Sequence, residues 1–184
     1  MSSNPNRAPN ARRGRRIALV GLPGVGKTTI GRLLADELAF TFFDCDAVFE
    51  AEVDGSIADW VRANGWATFR ERECALLAAA LAREEIVIAT GGGVVEEARN
   101  RGALAAAKVI WLQAPLAVLG ARLDSTNDRP LLADAQAERL AELAARRDPL
   151  YRQIADIEIA VADRTPRQAV ALIMRELQRK QMLS

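Results

Sequence analysis

Four short apolar runs punctuate the chain: Ile17–Val20, Ile86–Ala89, Val109–Leu112 and Ile157–Val161. Each is rich in β-branched side chains and bounded by Gly, Pro, Asp or charged residues, the signature of strands. A weaker run, Phe40–Phe43, ends against Asp44. Between the runs the spacing turns helical, over Thr28–Leu38, Thr68–Arg83, Leu116–Leu123, Ala135–Arg147 and Pro166–Leu177. Strands alternating with helices predict βαβ units, hence an α/β fold with a parallel sheet covered on both faces. The polar stretch Ser125–Ala133 holds Asn127, Asp128 and Pro130 and reads as an exposed, mobile loop.

Length and composition narrow this picture. A chain of 184 residues is expected to form one domain, large enough to bury most of its apolar surface. A formal net charge of +1 gives no reason to invoke nucleic acid or a membrane surface. With no histidine, histidine bases and Cys-His metal clusters are excluded. The two cysteines, Cys45 and Cys74, make neither a disulfide scaffold nor a zinc site. No apolar run is long enough to span a membrane. Residues 1–15, basic from Arg7 onward, read as a solvated, disordered tail, and the cytoplasm is the expected location. Nearly all basic residues are arginines, the only lysines being Lys27, Lys108 and Lys180, which makes the placement of Lys27 informative.

Lys27 belongs to the segment that carries the clearest chemistry. Gly21-Leu22-Pro23-Gly24-Val25-Gly26-Lys27-Thr28 matches G-x-x-x-x-G-K-[ST] and stands after a strand and at the start of a helix. Its glycines let the backbone turn so that N–H groups converge on a β-phosphate, and the helix N-terminus adds partial positive charge. Lys27 is placed to reach the β- and γ-phosphates, and the Thr28 hydroxyl to ligate Mg²⁺. Such a cradle identifies a phosphate donor and leaves the acceptor open.

The acceptor must be read from the surrounding motifs. Asp44-Cys45-Asp46 follows the second apolar run, and in extended backbone residues two apart share a face, so both carboxylates are expected to project together from a strand's carboxyl end. One would hold metal-bound water and the other would accept from an acceptor hydroxyl. Arg70 and Glu73 are i, i+3 neighbours in a helix, so Glu73 is placed to fix the guanidinium, although a solvated charged face is the commoner meaning of such a run. Thr90-Gly91-Gly92-Gly93 follows the third strand and permits a close backbone approach to a ligand. Arg129 in the polar loop has the position of a lid arginine beside transferring charge. Arg147 stands just before Asp148-Pro149-Leu150-Tyr151.

Taken in order, these pieces resemble the shikimate kinase family. The matching segments are Gly21–Arg32, Asp44–Asp46, Phe69–Glu73, Thr90–Gly93, Arg129–Leu132 and Arg146–Tyr151. The resemblance covers about Arg16 to Leu177. It implies a three-layer P-loop NTPase fold of the nucleoside-monophosphate-kinase type, with a five-stranded parallel sheet in order 2-3-1-4-5. Residues 16–184 would form one domain, with a lid over about 124–134. It implies transfer of the ATP γ-phosphoryl group to the 3-hydroxyl of shikimate, with Mg²⁺ as cofactor, in aromatic amino-acid biosynthesis.

The implied roles follow residue by residue. Gly24, Val25, Gly26, Lys27, Thr28 and Thr29 would cradle the nucleotide phosphates, and Arg122 and Arg164 would pack around adenine. Thr28 and Asp44 would hold the metal. Asp46 would bind the substrate hydroxyl and is the proposed base. Arg70 and Arg147 would clamp the carboxylate, Glu73 would brace the site, and the backbone of Gly92, flanked by Gly91 and Gly93, would add a substrate contact. Arg129 would act on the phosphates from the lid. Shikimate and ATP are the expected partners, without nucleic acid or membrane, and the protein is expected to be a monomer.

Two other readings compete. A kinase for another small hydroxy acid such as gluconate shares the cradle, but two guanidiniums and an Asp-x-Asp pair suit a hydroxylated carboxylate of shikimate's kind. A non-catalytic shikimate-sensing domain would be expected to carry a DNA-binding region and to lose Lys27 or Asp46. Residues 1–15 are too short for the former, and both side chains are present.

Overall fold

A computed structural model of the chain describes residues 15–124 and 133–182. The proposed tail, apart from Arg15, therefore lies outside the described residues, as do most of the proposed lid and Arg129 within it.

Five parallel strands form one sheet: β1 (Arg16–Val20), β2 (Thr41–Asp44), β3 (Ile86–Ala89), β4 (Lys108–Gln113) and β5 (Ile157–Ala160). Their order is β2-β3-β1-β4-β5, as the family resemblance implies. Burial explains this order from composition. Along β3 every residue is buried, and β1 and β4 are buried at all but one end residue each, as central parallel strands must be. In β5, Ile157 and Ile159 face inward and Glu158 and Ala160 outward, the alternation of an edge strand.

Register aligns the functional ends of the strands. Ala89 of β3 pairs with Asp44 of β2 on one side and with Leu19 of β1 on the other. Leu19 pairs in turn with Ile110, and Ile110 with Ile157, so one row crosses all five strands. The chain moves outward from β1 to β2, then returns and crosses β1 to reach β4. A crevice opens at the carboxyl ends where the order reverses.

The helices are α1 (Lys27–Leu38), α2 (Cys45–Val53), α3 (Ile57–Asn64), α4 (Trp66–Leu81), α5 (Ala98–Ala103), α6 (Leu116–Asp124), α7 (Ala133–Ile154) and α8 (Pro166–Arg179). α1 packs against α8, β2 and β3, while α7 packs against α6 and β4. α8 buries Ala169, Val170, Ile173 and Leu177, one stripe at helical spacing. It starts in a capping box, with the Thr165 hydroxyl accepting from Gln168 N and the Gln168 side chain from Thr165 N, and Pro166 fits the first turn.

Four helices differ from or add to the sequence expectation. α2 begins at Cys45, immediately after β2, so Asp44 alone is extended and Cys45 and Asp46 are helical. α3 and α5 were not anticipated from periodicity, although Ser56 N-caps α3 by accepting from Asp59 N at 3.1 Å. Ser56-x-x-Asp59 is the sequence signal for that start. α7 does not stop at Arg147 but runs through Pro149 to Ile154. Burial of Leu140, Tyr151 and Ile154 on this helix outweighs the backbone hydrogen bond that the proline ring removes.

Candidate active site

The cradle is built by β1 entering α1. Gly21, Gly24 and Gly26 adopt φ of 144°, 77° and 98°, values that side-chain-bearing residues rarely reach, so glycine is required by the path of the loop. Gly26 is the N-cap of α1 and offers no side-chain cap, which leaves the helix N-terminus open toward the crevice. The Lys27 ammonium donates to Gly21 O at 2.9 Å and Leu22 O at 3.1 Å, folded back over its own loop. Burial pushes its pKa down to about 8, against the raising influence of the Asp46 and Asp44 carboxylates.

A cleft of about 680 Å³ opens over this loop, lined by Gly24, Val25, Gly26, Lys27, Thr28 and Thr29. Arg122 and Arg164 line it too, where the adenine partners were expected, with Pro166 beside Arg164. The Arg122 guanidinium reaches Gly24 O at 3.5 Å, and Arg164 donates to Ala160 O at 2.6 Å.

Asp44 and Asp46 both face this cleft, by a route other than the one expected. Asp44 is the last residue of β2 and the N-cap of α2: its Oδ1 accepts from Asp46 N at 3.1 Å and Ala47 N at 3.2 Å. Its Oδ2 accepts from the Thr28 hydroxyl at 2.6 Å. Asp46 lies one step into the first turn of α2. A helical turn, rather than the two-residue repeat of a strand, brings the carboxylates together. Burial raises the pKa of Asp46, outweighing the opposing charge of Lys27.

A second cleft of similar size adjoins the first, and Pro23 and Asp46 line both. Its walls carry Arg70, Glu73, Gly91, Gly92, Gly93 and Arg147. Within the Arg70–Glu73 run Glu71 and Arg72 are solvated, but Arg70 and Glu73 are not: Nη1 of Arg70 donates to Glu73 Oε2 at 2.8 Å, and Glu73 is only 3 % exposed. Burial raises the pKa of Glu73 against the Arg70 charge, and its Oε1 has no hydrogen-bond partner among the described residues.

Close approach explains the glycines after β3. A Cβ on Gly91 would stand 2.6 Å from Glu73 Oε1 and 2.8 Å from Asp46 Oδ1, and one on Gly93 would run into the Arg70 guanidinium. The loop is held from below, since Leu19 O accepts from both the amide (3.2 Å) and the hydroxyl (2.9 Å) of Thr90. From the side, the Tyr151 hydroxyl donates to Gly92 O.

Sequence reasoning did not single out Glu96, which closes the 3-10 turn Val94–Glu96 after the glycines. It accepts from Arg70 Nη2 at 2.9 Å and Arg147 Nε at 3.0 Å, and pairs with Arg146 Nη2 at 2.8 Å. Burial pushes its pKa up, but the hydrogen bond and charge of Arg147, with Arg70 and Arg146, outweigh this and lower it. Trp66 was also not singled out. It is 61 % exposed at the rim, with Arg70 over its ring at 5.4 Å.

A nucleotide-phosphate cradle on a five-stranded parallel sheet, opening into an arginine-rich second cleft through a shared carboxylate, defines a P-loop phosphotransferase with a small anionic acceptor. The comparisons specify which. The family model described as shikimate kinase matches residues 23–178, and the chain belongs to the shikimate kinase family. It is 43 % identical over 165 residues to the shikimate kinase of Pseudomonas syringae pv. syringae (strain B728a), covering 89 % of this chain and 96 % of that one. It superposes on the shikimate kinase of Acinetobacter baumannii in complex with shikimate with a TM-score of 0.85. There the identity is 32 %, with 94 % of this chain and 98 % of that one covered. A gluconokinase from Sinorhizobium meliloti 1021 matches with a TM-score of 0.60 at 16 % identity, a likeness of fold alone (94 % and 99 % covered).

Proposed function

We infer that this chain transfers the γ-phosphoryl group of ATP to the 3-hydroxyl of shikimate, giving shikimate 3-phosphate and ADP. The single observation that carries the residue roles is the position of Asp46, in the wall shared by the phosphate-donor cleft and the arginine-rich cleft. A group there touches both the acceptor hydroxyl and the region of the transferring phosphoryl.

In this reading Arg70 and Arg147 hold the shikimate carboxylate, since planar guanidiniums match it two bonds at a time. The backbone of Gly91, Gly92 and Gly93 lets the ring approach Asp46. Asp46 accepts the proton of the 3-hydroxyl as the oxygen attacks phosphorus, and its raised pKa brings it nearer the range of an effective base. Lys27 turns from its loop carbonyls to the β- and γ-phosphates and neutralises charge as it moves between oxygens. Arg129, outside the described residues, is assigned to the same charge from the lid. Arg122 and Arg164 flank the base.

Thr28 and Asp44 offer a hydroxyl and a carboxylate 2.6 Å apart beside the cradle, hard oxygen donors that suit Mg²⁺. Bound with the nucleotide, that ion would neutralise phosphate charge; the direct ligand would be Thr28, with Asp44 acting through water. The described residues that line both clefts all come from one chain, which supports a working monomer, and two free cysteines suit the reducing cytoplasm. Among the described residues no helix is long and apolar enough to cross a membrane.

A coupled ADP-release assay with shikimate and gluconate tests the reading. Turnover with shikimate and ATP, and none above background with gluconate, is the expected result. Tight shikimate binding without ADP release would support the sensing domain, and preference for gluconate the other kinase.

A further inference from the structure

Glu96 stands out once the second cleft is seen whole. It joins the two arginines assigned to the substrate carboxylate, and they come from different helices: Arg70 from α4 and Arg147 from α7. Each of its oxygens takes one of them, Oε2 from Arg70 and Oε1 from Arg147. The three side chains are 21 %, 13 % and 9 % exposed, so the charges interact through protein more than through water.

The way Glu96 grips Arg147 matters. It binds Nε, the side of the guanidinium, while Nη1 reaches to 3.4 Å of where a Gly92 side chain would be. The Nη end is thus turned toward the glycine loop, where a substrate carboxylate would meet it. Glu96 is itself anchored. Its amide donates to Gly93 O at 3.0 Å, its carbonyl accepts from Arg101 Nη1 at 3.0 Å, and Val94 and Val95 beside it are buried. Two guanidiniums brought toward one small anion repel each other unless a fixed counter-charge holds them.

We propose that Glu96 is a positioning residue that preassembles the carboxylate clamp, holding Arg70 and Arg147 in the arrangement that a monoanionic substrate carboxylate requires. It touches no reacting atom. Its contribution falls on substrate affinity rather than on phosphoryl transfer, because the cradle, Lys27 and Asp46 do not depend on it. This rests on Arg70 and Arg147 being the clamp, and the test separates the two ideas.

Steady-state kinetics on the full chain would compare wild type, Glu96→Gln, Glu96→Ala and Arg147→Lys, with shikimate and with its methyl ester. Glu96→Ala is expected to raise the KM for shikimate about tenfold, the scale on which misplaced binding groups act, and Glu96→Gln to raise it by about threefold or more. The KM for ATP and kcat should stay within about twofold of wild type. With the ester, which lacks the anionic carboxylate, the Glu96 variants should show no such penalty. Glu96→Gln is nearly isosteric and carries the test should the alanine variant not fold. An unchanged shikimate KM in Glu96→Gln alongside a raised one in Arg147→Lys overturns the role of Glu96 alone. An equal penalty with the ester also overturns it. An unchanged KM in Arg147→Lys overturns the clamp, and this proposal with it.

Discussion

The Thr28 hydroxyl donates to Oδ2 of Asp44 across 2.6 Å, while Oδ1 of the same carboxylate caps α2. One side chain therefore serves two elements, tying the start of α1 to the start of α2. The two duties separate by substitution. Asp44→Asn keeps an acceptor for the cap but loses the charge, so it should weaken Mg²⁺ dependence of activity with little loss of stability. Asp44→Ala should lose both, with about 1 kcal/mol of destabilisation from the missing cap. Denaturant titrations beside Mg²⁺-activation curves check this. Equal stabilities for the two variants would remove the capping role.

Lys27 predicts how nucleotide binding follows pH. Its free-state pKa is about 8, below the ordinary lysine value, and phosphates favour the charged form. Below pH 8 the ammonium is already charged and ATP affinity should be flat with respect to this group. Above pH 8 a proton must be taken up on binding, so Kd should rise by up to about tenfold per pH unit. Calorimetric titration at pH 8.5 in buffers of different ionisation enthalpy should show proton uptake, and none in Lys27→Met.

Asp46→Asn should lower kcat by about 10² or more while ATP binding persists. Protonated Asp46 cannot accept, so wild-type kcat should fall as pH drops through its raised pKa, and the residual rate of Asp46→Asn should lack that acid limb. Turnover near wild type in the variant would show that Asp46 is not the base.

Gly91→Ala puts a methyl group against Glu73 Oε1 and Asp46 Oδ1. Asp46 must move, and a displacement of this size is expected to cost about 10² in kcat with ATP affinity unchanged. Gly102→Ala, with nothing within 4 Å, is the control and should behave as wild type.

Much of this was legible in the sequence. The three central strands read directly as continuous apolar runs because both of their faces are buried, and the cradle was legible because only glycine tolerates its dihedral angles. The Asp-x-Asp pair was expected on extended backbone, whereas Cys45 and Asp46 lie in a helix. Cys45-Asp46-Ala47-Val48-Phe49 has no clear helical stripe, and only the Asp44 cap marks the start of α2. The helical pattern was read only as far as Arg147, whereas α7 continues through Pro149 because buried Tyr151 and Ile154 lie beyond it. Glu96 was beyond reach of local pattern: its partners are 26, 50 and 51 residues away, and nothing near it in sequence shows that three arginines converge on it. The half-buried state of Arg70 and the burial of Glu73 had the same cause, since a charged run reads alike whether or not a loop folds over it.

The register row through Asp44, Ala89 and Leu19 carries a final consequence. The glycine loop assigned to phosphate, the Gly91–Gly93 loop assigned to the acceptor and the acidic turn all leave adjacent strands within two residues of that row. Neighbouring strands lie about 4.8 Å apart, so the sheet acts as a ruler, and donor, base and acceptor are metered by main-chain pitch. Changes of side chain in the interior can then accumulate without altering the stroke of the reaction, whereas a one-residue slip of a single strand would put the machinery out of gauge.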